Sequence, residues 1–486
     1  MNAKCSVIIF KSKAGNTYLY DPNTNAILYS PPGFLEVLDL YPFNSETEIP
    51  LQLLAEMFSS EKIAGYKKLI IDWVQRFDAF FVSNHPTITK NFSVKDETTF
   101  LRDISNINQL TLEVTQNCNL KCRYCIFSGG YSSFRSHCTS FMPWEIAKQA
   151  IDYFFQLVMS ETRTRKYGNI YFTFYGGEPL LNFPLIKRCV EYINKSKPYE
   201  LKEKIIYSMT TNGTLLSEEI IDYLINQEFN LSISLDGPKD EHDKNRVFSN
   251  GKGTFEIIIR NIHRIFDKYP NYAKKMGFCI TYSHNHNLMN IYEYYNRQFP
   301  QNSVRISPVR DQHLIDILPE EYKNSLTDLC RVFLSAVRQN GSSLPNFLRE
   351  FFMNIYKPLH NRRFYGATKR SFFTPTCKVN SFRLFTDVKG DFHICERINN
   401  HFSIGNCREG IQWKRIETMY RRYDDQVVQY CGACPARHIC SNCYALIGGE
   451  GDFQNLENCR IERKKLNVLL TGYVTLREEN GDIAWL

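Results

Sequence analysis

The sequence predicts an α/β protein: a partial (β/α)6 TIM-like barrel with a small N-terminal domain before it and a cysteine-rich region after it. Three observations predict this. Between residues 108 and 310, short β-prone runs alternate six times with stretches of helical period. Chemistry-bearing residues recur where those runs end. Most of the sixteen cysteines fall into two groups: Cys118, Cys122 and Cys125 early, and Cys377, Cys395, Cys431, Cys434, Cys440, Cys443 and Cys459 late.

The bulk numbers set the bounds. At 486 residues the chain is long enough for about three domains. With 43% hydrophobic and 14% aromatic residues it can bury large cores, which excludes wholesale disorder. No apolar run approaches the roughly 18 residues that span a bilayer, and the apolar stretch near the N-terminus is too short for a secretory signal. A soluble, cytoplasmic protein with no membrane partner is expected. The net charge of +8 arises from 59 basic and 51 acidic residues without a dense basic block, so no nucleic-acid partner is expected. So many cysteines in a long chain without a signal peptide point to metal or redox chemistry rather than disulfides.

Residues 1–85 open with β-prone runs at 6–10, 17–20 and 26–29, broken by Ala14-Gly15-Asn16 and Asp21-Pro22-Asn23-Thr24-Asn25. After Pro31-Pro32-Gly33 the pattern turns helical at 34–40, 51–58 and 63–81. Three strands and three helices make a unit of winged-helix size. A polar linker is expected over 86–107.

The barrel strands are expected at 109–114, 169–175, 205–210, 231–236, 277–282 and 304–309. Helices are expected between them at 143–158, 185–194, 217–226 and 254–268, with Pro143 suited to a first helical turn. Such alternation implies a parallel sheet with right-handed crossovers. Six units are too few to close an eight-stranded barrel, and ligand chemistry gathers at the C-terminal strand ends of such sheets. Strand one runs into the cysteine triplet, strand two into Gly176-Gly177-Glu178-Pro179, strand three into Thr211-Asn212-Gly213, and strand four ends at Asp236-Gly237. Residues 311–375 read as a bridging region, 376–465 as the cysteine-rich domain and 466–486 as a C-terminal tail.

Cys118-x3-Cys122-x2-Cys125 offers three thiolates on one short loop. Three protein ligands on a [4Fe–4S] cluster leave one iron open, whereas a zinc site wants a fourth ligand, for which Cys138 is the nearby cysteine. Spacing alone leaves both open. The octet Cys118-Asn119-Leu120-Lys121-Cys122-Arg123-Tyr124-Cys125 resembles the signature of the radical S-adenosylmethionine (radical SAM) enzymes. The resemblance implies that the open iron chelates SAM and that reductive cleavage yields a 5′-deoxyadenosyl radical. It implies cofactor contacts from Gly176, Gly177 and Glu178 to the methionine moiety, from Asn212 near the adenosine, from Ser234 and Asp236 to the ribose, and from the Tyr124 backbone to the adenine edge.

Read alone, Cys431-x2-Cys434-x5-Cys440-x2-Cys443 suggests a zinc ribbon with unusually tight spacing. Taken with Cys377, Cys395 and Cys459, the order resembles the SPASM extension of radical SAM enzymes, which holds two auxiliary [4Fe–4S] clusters. This chain departs in having two residues, where three are usual, between the last two of the four. The resemblance assigns Cys431, Cys434, Cys440 and Cys459 to the outer cluster and Cys377, Cys395 and Cys443 to the inner one. Its fourth ligand is open between Cys407 and a substrate thiolate. Glu396, after Cys395, is the candidate catalytic base. Cys5, Cys138, Cys189, Cys279 and Cys330 are expected to be structural.

The opening around Tyr18-Leu19-Tyr20-Asp21-Pro22 resembles that of radical SAM–SPASM peptide maturases, whose winged-helix-like domain binds the leader of a ribosomally made precursor. The segment from Cys125 through Tyr131, with Arg135 and His137, looks like that of thioether-forming members. The resemblance implies an enzyme that installs crosslinks, above all cysteine thioethers, in a precursor peptide, with a flavodoxin or ferredoxin as electron donor. Two alternatives stand beside it: an anaerobic sulfatase-maturating enzyme that makes formylglycine, and a non-catalytic leader-binding or electron-transfer scaffold.

Overall fold

The computed structural model describes residues 7–22, 24–39, 58–77, 104–130, 135–160, 168–201, 204–309, 319–340, 344–362, 383–397, 402–431, 434–440 and 456–480. Expectations for the linker over 86–103, the helix over 51–57, residues 311–318, 341–343 and 363–375 of the bridge, and Cys5, Cys377 and Cys443 lie outside them.

Near the N-terminus, β1 (Ile8–Lys11), β2 (Thr17–Asp21) and β3 (Ala26–Ser30) form an antiparallel sheet in that order. The first turn uses Gly15 at φ 90°, and the second uses Asn25 at φ 61°, a left-handed conformation that asparagine tolerates. Strand alternation gives the sheet two apolar faces. Leu19, Ala26 and Leu28 pack on Phe34 and Val37 of α1 (Phe34–Asp39) and on Ile63, Ile70 and Trp73 of α2 (Ser60–Phe77). The other face sends Phe10 and Tyr20 into the main core. The sheet is therefore a shared layer between two cores.

The main sheet begins with β4 (Gln109–Thr115). It continues through α3 (Trp144–Val158), β5 (Ile170–Gly176), α4 (Phe183–Ser196), β6 (Ile205–Thr211), α5 (Glu218–Asn226), β7 (Asn230–Ser234) and α6 (Phe255–Lys268). The last units are β8 (Gly277–Tyr282), α7 (Leu288–Gln298) and β9 (Ser303–Pro308). All six strands pair in parallel in sequence order, as the alternation predicts. Side chains such as Phe172, Phe174, Phe278 and Ile280 bury outward under the helices. The intervening positions turn to the concave side, where Gln109 Nε2 donates to Thr173 Oγ1 at 2.7 Å and Thr173 and Ser208 hydroxyls lie 2.6 Å apart. A polar inner wall distinguishes this partial barrel from a closed one, whose interior is packed with branched apolar side chains.

Two helices follow, α8 (Glu320–Asn340) and α9 (Asn346–His360), and then four short strands: β10 (Arg383–Thr386), β11 (Asp391–His393), β12 (Gly405–Asn406) and β13 (Gly410–Ile411). These join the barrel sheet rather than standing apart. β10 pairs in parallel with β4, and the ten-stranded order is β13-β12-β11-β10-β4-β5-β6-β7-β8-β9. Helices α10 (Trp413–Cys431) and α11 (Leu456–Asn480) complete the described chain. The expected tail from 466 is instead the second half of α11. Leu466, Leu470, Tyr473 and Val474 are buried there, and Thr475 Oγ1 accepts from Lys13 N at 3.0 Å while Glu478 Oε1 accepts from Asn16 Nδ2 and the Tyr18 hydroxyl at 2.7 and 2.9 Å. Among the described residues no helix is long and apolar enough to cross a membrane.

Candidate active site

The loops leaving β4 and β5 are locked together by their backbones. Thr115 O accepts from Gly177 N at 3.0 Å, and Asn117 O accepts from Glu178 N at 2.8 Å. Only glycine fits this contact. A Cβ on Gly176 would lie 2.2 Å from Thr115 O, and one on Gly177 would lie 2.2 Å from Asn117 O and 3.0 Å from Cys118 Cβ.

The cysteine loop itself is fastened on its far side. Lys121 N donates to Val247 O at 2.8 Å, Arg123 N to Asn245 O at 2.9 Å, and Asn119 Nδ2 to Thr214 Oγ1 at 2.9 Å. Cys118, Cys122 and Cys125 are half-buried free thiols. Burial pushes Cys118 up to about 12 and Cys122 up to about 11, and each feels the neighbouring thiols. Three buried thiols with mutually unfavourable charge suit a polynuclear cation that replaces their protons. Among the described residues no three such side chains converge on one metal-ion position. A [4Fe–4S] cluster does not require that, because each of its thiolates binds a different iron. The donor set fits the cluster.

Glu178 is 1% exposed, and its carboxylate accepts from Thr211 Oγ1 and Asn212 N at 2.7 Å and from Leu180 N at 3.1 Å. Burial, only partly offset by these bonds, raises it to about 7. Asn212 Nδ2 donates to Asn119 Oδ1 at 2.9 Å, and Ser234 is nearly buried at the end of β7. Asp236 is fully buried. Thr281 N donates to its Oδ1 at 2.8 Å, while Arg246 Nε, at 2.9 Å, and the Tyr124 hydroxyl both donate to Oδ2. Burial works to raise Asp236, but Arg246, with His242 and Tyr124, outweighs it and holds it below the usual carboxylate range. Both Asp236 oxygens are thus engaged within the protein. Arg246 and His242, which the strand-end reading missed, follow Asp236 at ten and six residues. His242 Nδ1 accepts from Asp236 N at 3.1 Å.

On the other side of the loop, the Arg135 guanidinium lies 3.9 Å over the Phe127 ring and donates from Nη2 to Glu113, which is fully buried on β4. His137 Nδ1 lies 3.1 Å from Gln116 O and so carries a proton, leaving Nε2, 3.4 Å from Cys125 Sγ, as the acceptor toward that thiol. Tyr175, at the end of β5, turns inward with its ring edge-on to Phe385. Its phenol is raised by burial and then by Glu396, and lowered by Arg397 and Arg135.

Glu396 forms an ion pair with Arg383 at 3.0 Å. Arg383 pairs with Gln109, at the start of β4, so Cys395 and Glu396 sit toward the opposite end of the concave wall from the cysteine loop. Tyr175 lies between. Cys407 is placed elsewhere: its N donates to Gly390 O at 2.8 Å and its thiol to Gln149 on α3 at 3.4 Å. Gly390 directly precedes β11, whereas Cys395 lies beyond its other end. The structure does not bring Cys407 to Cys395. Cys279 shares the concave side with Ser234, its pairing partner, rather than an apolar environment.

The late cysteines converge in part. Cys434 N donates to Cys431 O at 3.0 Å. Burial, then the nearby Cys459 and Cys434 thiols, push Cys431 up to about 12, and Arg463 hydrogen-bonds Cys434. Cys440 is half-buried in the turn that follows.

Residues 112–295, from β4 to α7, match the Radical SAM superfamily. The chain belongs to that superfamily of enzymes. The radical SAM family uses a [4Fe–4S] cluster and SAM. The chain is 28% identical over 237 residues to the cysteine-type anaerobic sulfatase-maturating enzyme of Clostridium novyi (strain NT), covering 46% of this chain and 59% of that protein. It therefore spans less than two thirds of that relative's length. It is 23% identical over 314 residues to the radical SAM cyclopropyl synthase TigE of Paramaledivibacter caminithermalis, covering 63% of this chain and 61% of TigE. Among solved structures, native anSMEcpe with bound AdoMet and Cp18Cys peptide superposes with a TM-score of 0.50 at 21% identity, covering 78% of this chain and 96% of that one, which establishes a shared fold. The relatives that this radical SAM enzyme resembles thus include a sulfatase-maturating enzyme and a cyclopropyl synthase.

Proposed function

We propose that this radical SAM enzyme modifies a ribosomally made precursor peptide, forming crosslinks of which cysteine thioethers are the leading type. The observation that carries this reading is the N-terminal sheet. It lies outside the superfamily match, has an apolar core of its own with α1 and α2, and is docked to α11. Among the described residues the outer edges of β1 and β3 bear no strand partner, and such an edge can take up an extended leader segment by main-chain hydrogen bonds.

Bound through Cys118, Cys122 and Cys125, the cluster with SAM would supply a 5′-deoxyadenosyl radical that removes a hydrogen atom from the substrate. The protein's share is placement. Gly176 and Gly177 let the backbone approach the methionine moiety, Glu178 and Asn212 offer oxygens to the amino group and adenosine, and Ser234 and Asp236 border the ribose. The backbone of Tyr124 faces the adenine edge. Glu396 receives the proton that the substrate sheds. Cys431, Cys434, Cys440 and Cys459, and Cys377, Cys395 and Cys443, would hold two auxiliary clusters that could take up the surplus electron, with a flavodoxin or ferredoxin as the electron donor to the enzyme.

Formylglycine formation is the competing reading, supported by the likeness to the sulfatase-maturating enzyme. Anaerobic co-expression with the small peptide encoded beside the gene separates them by mass. Loss of two hydrogens per site, with the cysteines no longer alkylated yet retaining sulfur, supports thioether formation. An aldehyde that replaces a cysteine's sulfur with oxygen, or that forms at a serine with loss of two hydrogens while every cysteine still alkylates, supports formylglycine. An unaltered peptide despite SAM cleavage overturns the precursor-peptide reading.

A further inference from the structure

Arg135 is held in place but only partly used. Its side chain is 10% exposed, it stacks over Phe127, and Nη2 is committed to Glu113, whose other oxygen accepts from Gln116 Nε2 at 2.7 Å. Nη1 is shielded from solvent and, among the described residues, has no hydrogen-bond partner. A buried guanidinium N–H without an acceptor carries a penalty that folding alone does not recover, so each such group calls for a reason. The pair with Glu113 satisfies the charge, but it does not satisfy the second donor edge.

The surroundings say what kind of acceptor fits. Phe127, under the guanidinium, follows Cys125 by two residues, and Glu113 is the register partner of Tyr175 on the concave wall, so the guanidinium stands between the cysteine loop and that wall. The glycine ledge is instead fastened to the other end of the loop, at Thr115 and Asn117. Arg135 therefore stands on the Tyr175 side of the loop rather than at the glycine ledge. A rigid fork with one arm fixed and one donor spare suits a single oxygen acceptor of fixed position.

We infer that Arg135 is a positioning residue that donates from Nη1 to a backbone carbonyl or side-chain oxygen of the substrate peptide, holding the reacting residue between the SAM site and Glu396. The inference rests on the peptide-modifying reading above. The same donor chemistry would also suit the SAM carboxylate, and the experiment separates these two sources.

The test uses the full chain reconstituted with iron and sulfide under anaerobic conditions, with SAM and the full-length precursor peptide encoded beside the gene. Product mass and 5′-deoxyadenosine are followed as peptide and SAM are varied in turn. Arg135→Lys keeps a cation beside Glu113 but loses the second arm of the fork. The variant is expected to raise the KM for peptide about tenfold, the loss of one charge-assisted hydrogen bond, with kcat changed less than about twofold and the KM for SAM unmoved. The double variant Glu113→Gln/Arg135→Gln removes both buried charges together, so neither is left uncompensated. It should raise the peptide KM at least as far while retaining wild-type iron content. An unchanged peptide KM in both variants, or a rise confined to the KM for SAM, overturns the assignment while leaving the peptide reading intact. A precursor peptide that the wild-type enzyme neither alters nor binds overturns the peptide reading and this assignment with it.

Discussion

Tyr124, the residue before the third cysteine of the loop, donates its hydroxyl to Asp236 just beyond the end of β7, and Arg246 meets the same carboxylate oxygen from the other side at 2.9 Å. The Arg246 guanidinium also lies 5.4 Å over the Tyr124 ring. One carboxylate thus ties the cluster-binding loop to the fourth strand end. The geometry of the three thiols depends on a residue more than a hundred positions away.

That relationship predicts an order of severity. Tyr124→Phe removes one neutral donor and should cost about 1 kcal/mol in urea unfolding of the apo-protein. Asp236→Asn leaves Arg246 buried without its counter-charge and should cost about 3–5 kcal/mol. Iron uptake on reconstitution, read from the absorbance of the cluster, should fall in the same order. Equal losses for the two variants would show that the loop is held by its backbone anchors to Val247 and Asn245 instead.

Gly177→Ala places a methyl against Asn117 O, a backbone atom that cannot rotate away. The loop must shift at Cys118 itself. Reconstituted Gly177→Ala protein should lose the SAM-dependent change in the electron paramagnetic resonance spectrum of the reduced cluster. Gly65→Ala on α2, where a Cβ meets nothing, should leave that spectral change intact.

Buried Glu178 and His242 carry opposite pH dependences. Glu178 is raised to about 7, so the folded state holds its proton more tightly than the unfolded chain, and stability is lost as pH rises from about 4.5 to about 7. Burial lowers His242 to about 4, with its ring between Asp236 N and Thr254 Oγ1, so stability is lost as pH falls from about 6.5 to about 4. Each is worth up to about 3 kcal/mol over its window, and the two slopes nearly cancel. Glu178→Gln should therefore expose a midpoint in urea that falls toward acid, and His242→Asn one that falls toward neutrality. Parallel profiles in the two variants would contradict this.

The parts legible in the sequence are those whose signal is local. Cys118 to Cys125, Gly176-Gly177-Glu178 and Asp236 could be placed because a parallel sheet gathers successive strand ends at one edge, and each motif directly follows a β-prone run. The joining of β10 to β4 was not legible: Arg383 and Gln109 are far apart in sequence, and no local period records their pairing. Helix α11 was not legible either: its residues were divided at 465 between the cysteine-rich domain and a tail, because the charged run Arg463-Lys464-Lys465 interrupts its apolar pattern, which resumes at Leu466 and Leu470. The face that Cys279 takes was also hidden, since Phe278 and Ile280 flank it with apolar residues in sequence while strand alternation turns it to the concave side beside Ser234.

Glu478 offers a handle on the docking of that sheet. Its Oε1 accepts from both Asn16 and Tyr18, bridging β2 to α11. Glu478→Ala removes two partly exposed hydrogen bonds, worth about 1–2 kcal/mol together. Amide exchange across β1 to β3 should quicken while β4 to β7 stay protected. If the sheet recruits the leader, the KM for a full-length precursor should rise and that for a leaderless peptide should not.

The ion pair between Glu396 and Arg383 allows the role of Glu396 to be decided by comparing its two sides. If Glu396 only anchors the chain after Cys395, removing either partner breaks the same bond, and Glu396→Gln and Arg383→Gln should reduce product formation alike. If Glu396 accepts the substrate's proton, the two diverge. Glu396→Gln cannot take a proton and should slow product formation by about 10²–10⁴-fold, the usual contribution of a general base, while 5′-deoxyadenosine still accumulates. Arg383→Gln leaves the carboxylate in place to take the proton. Its rate should stay within about tenfold of wild type. That divergence separates the two roles, because loss of an anchor alone would slow both variants to the same extent.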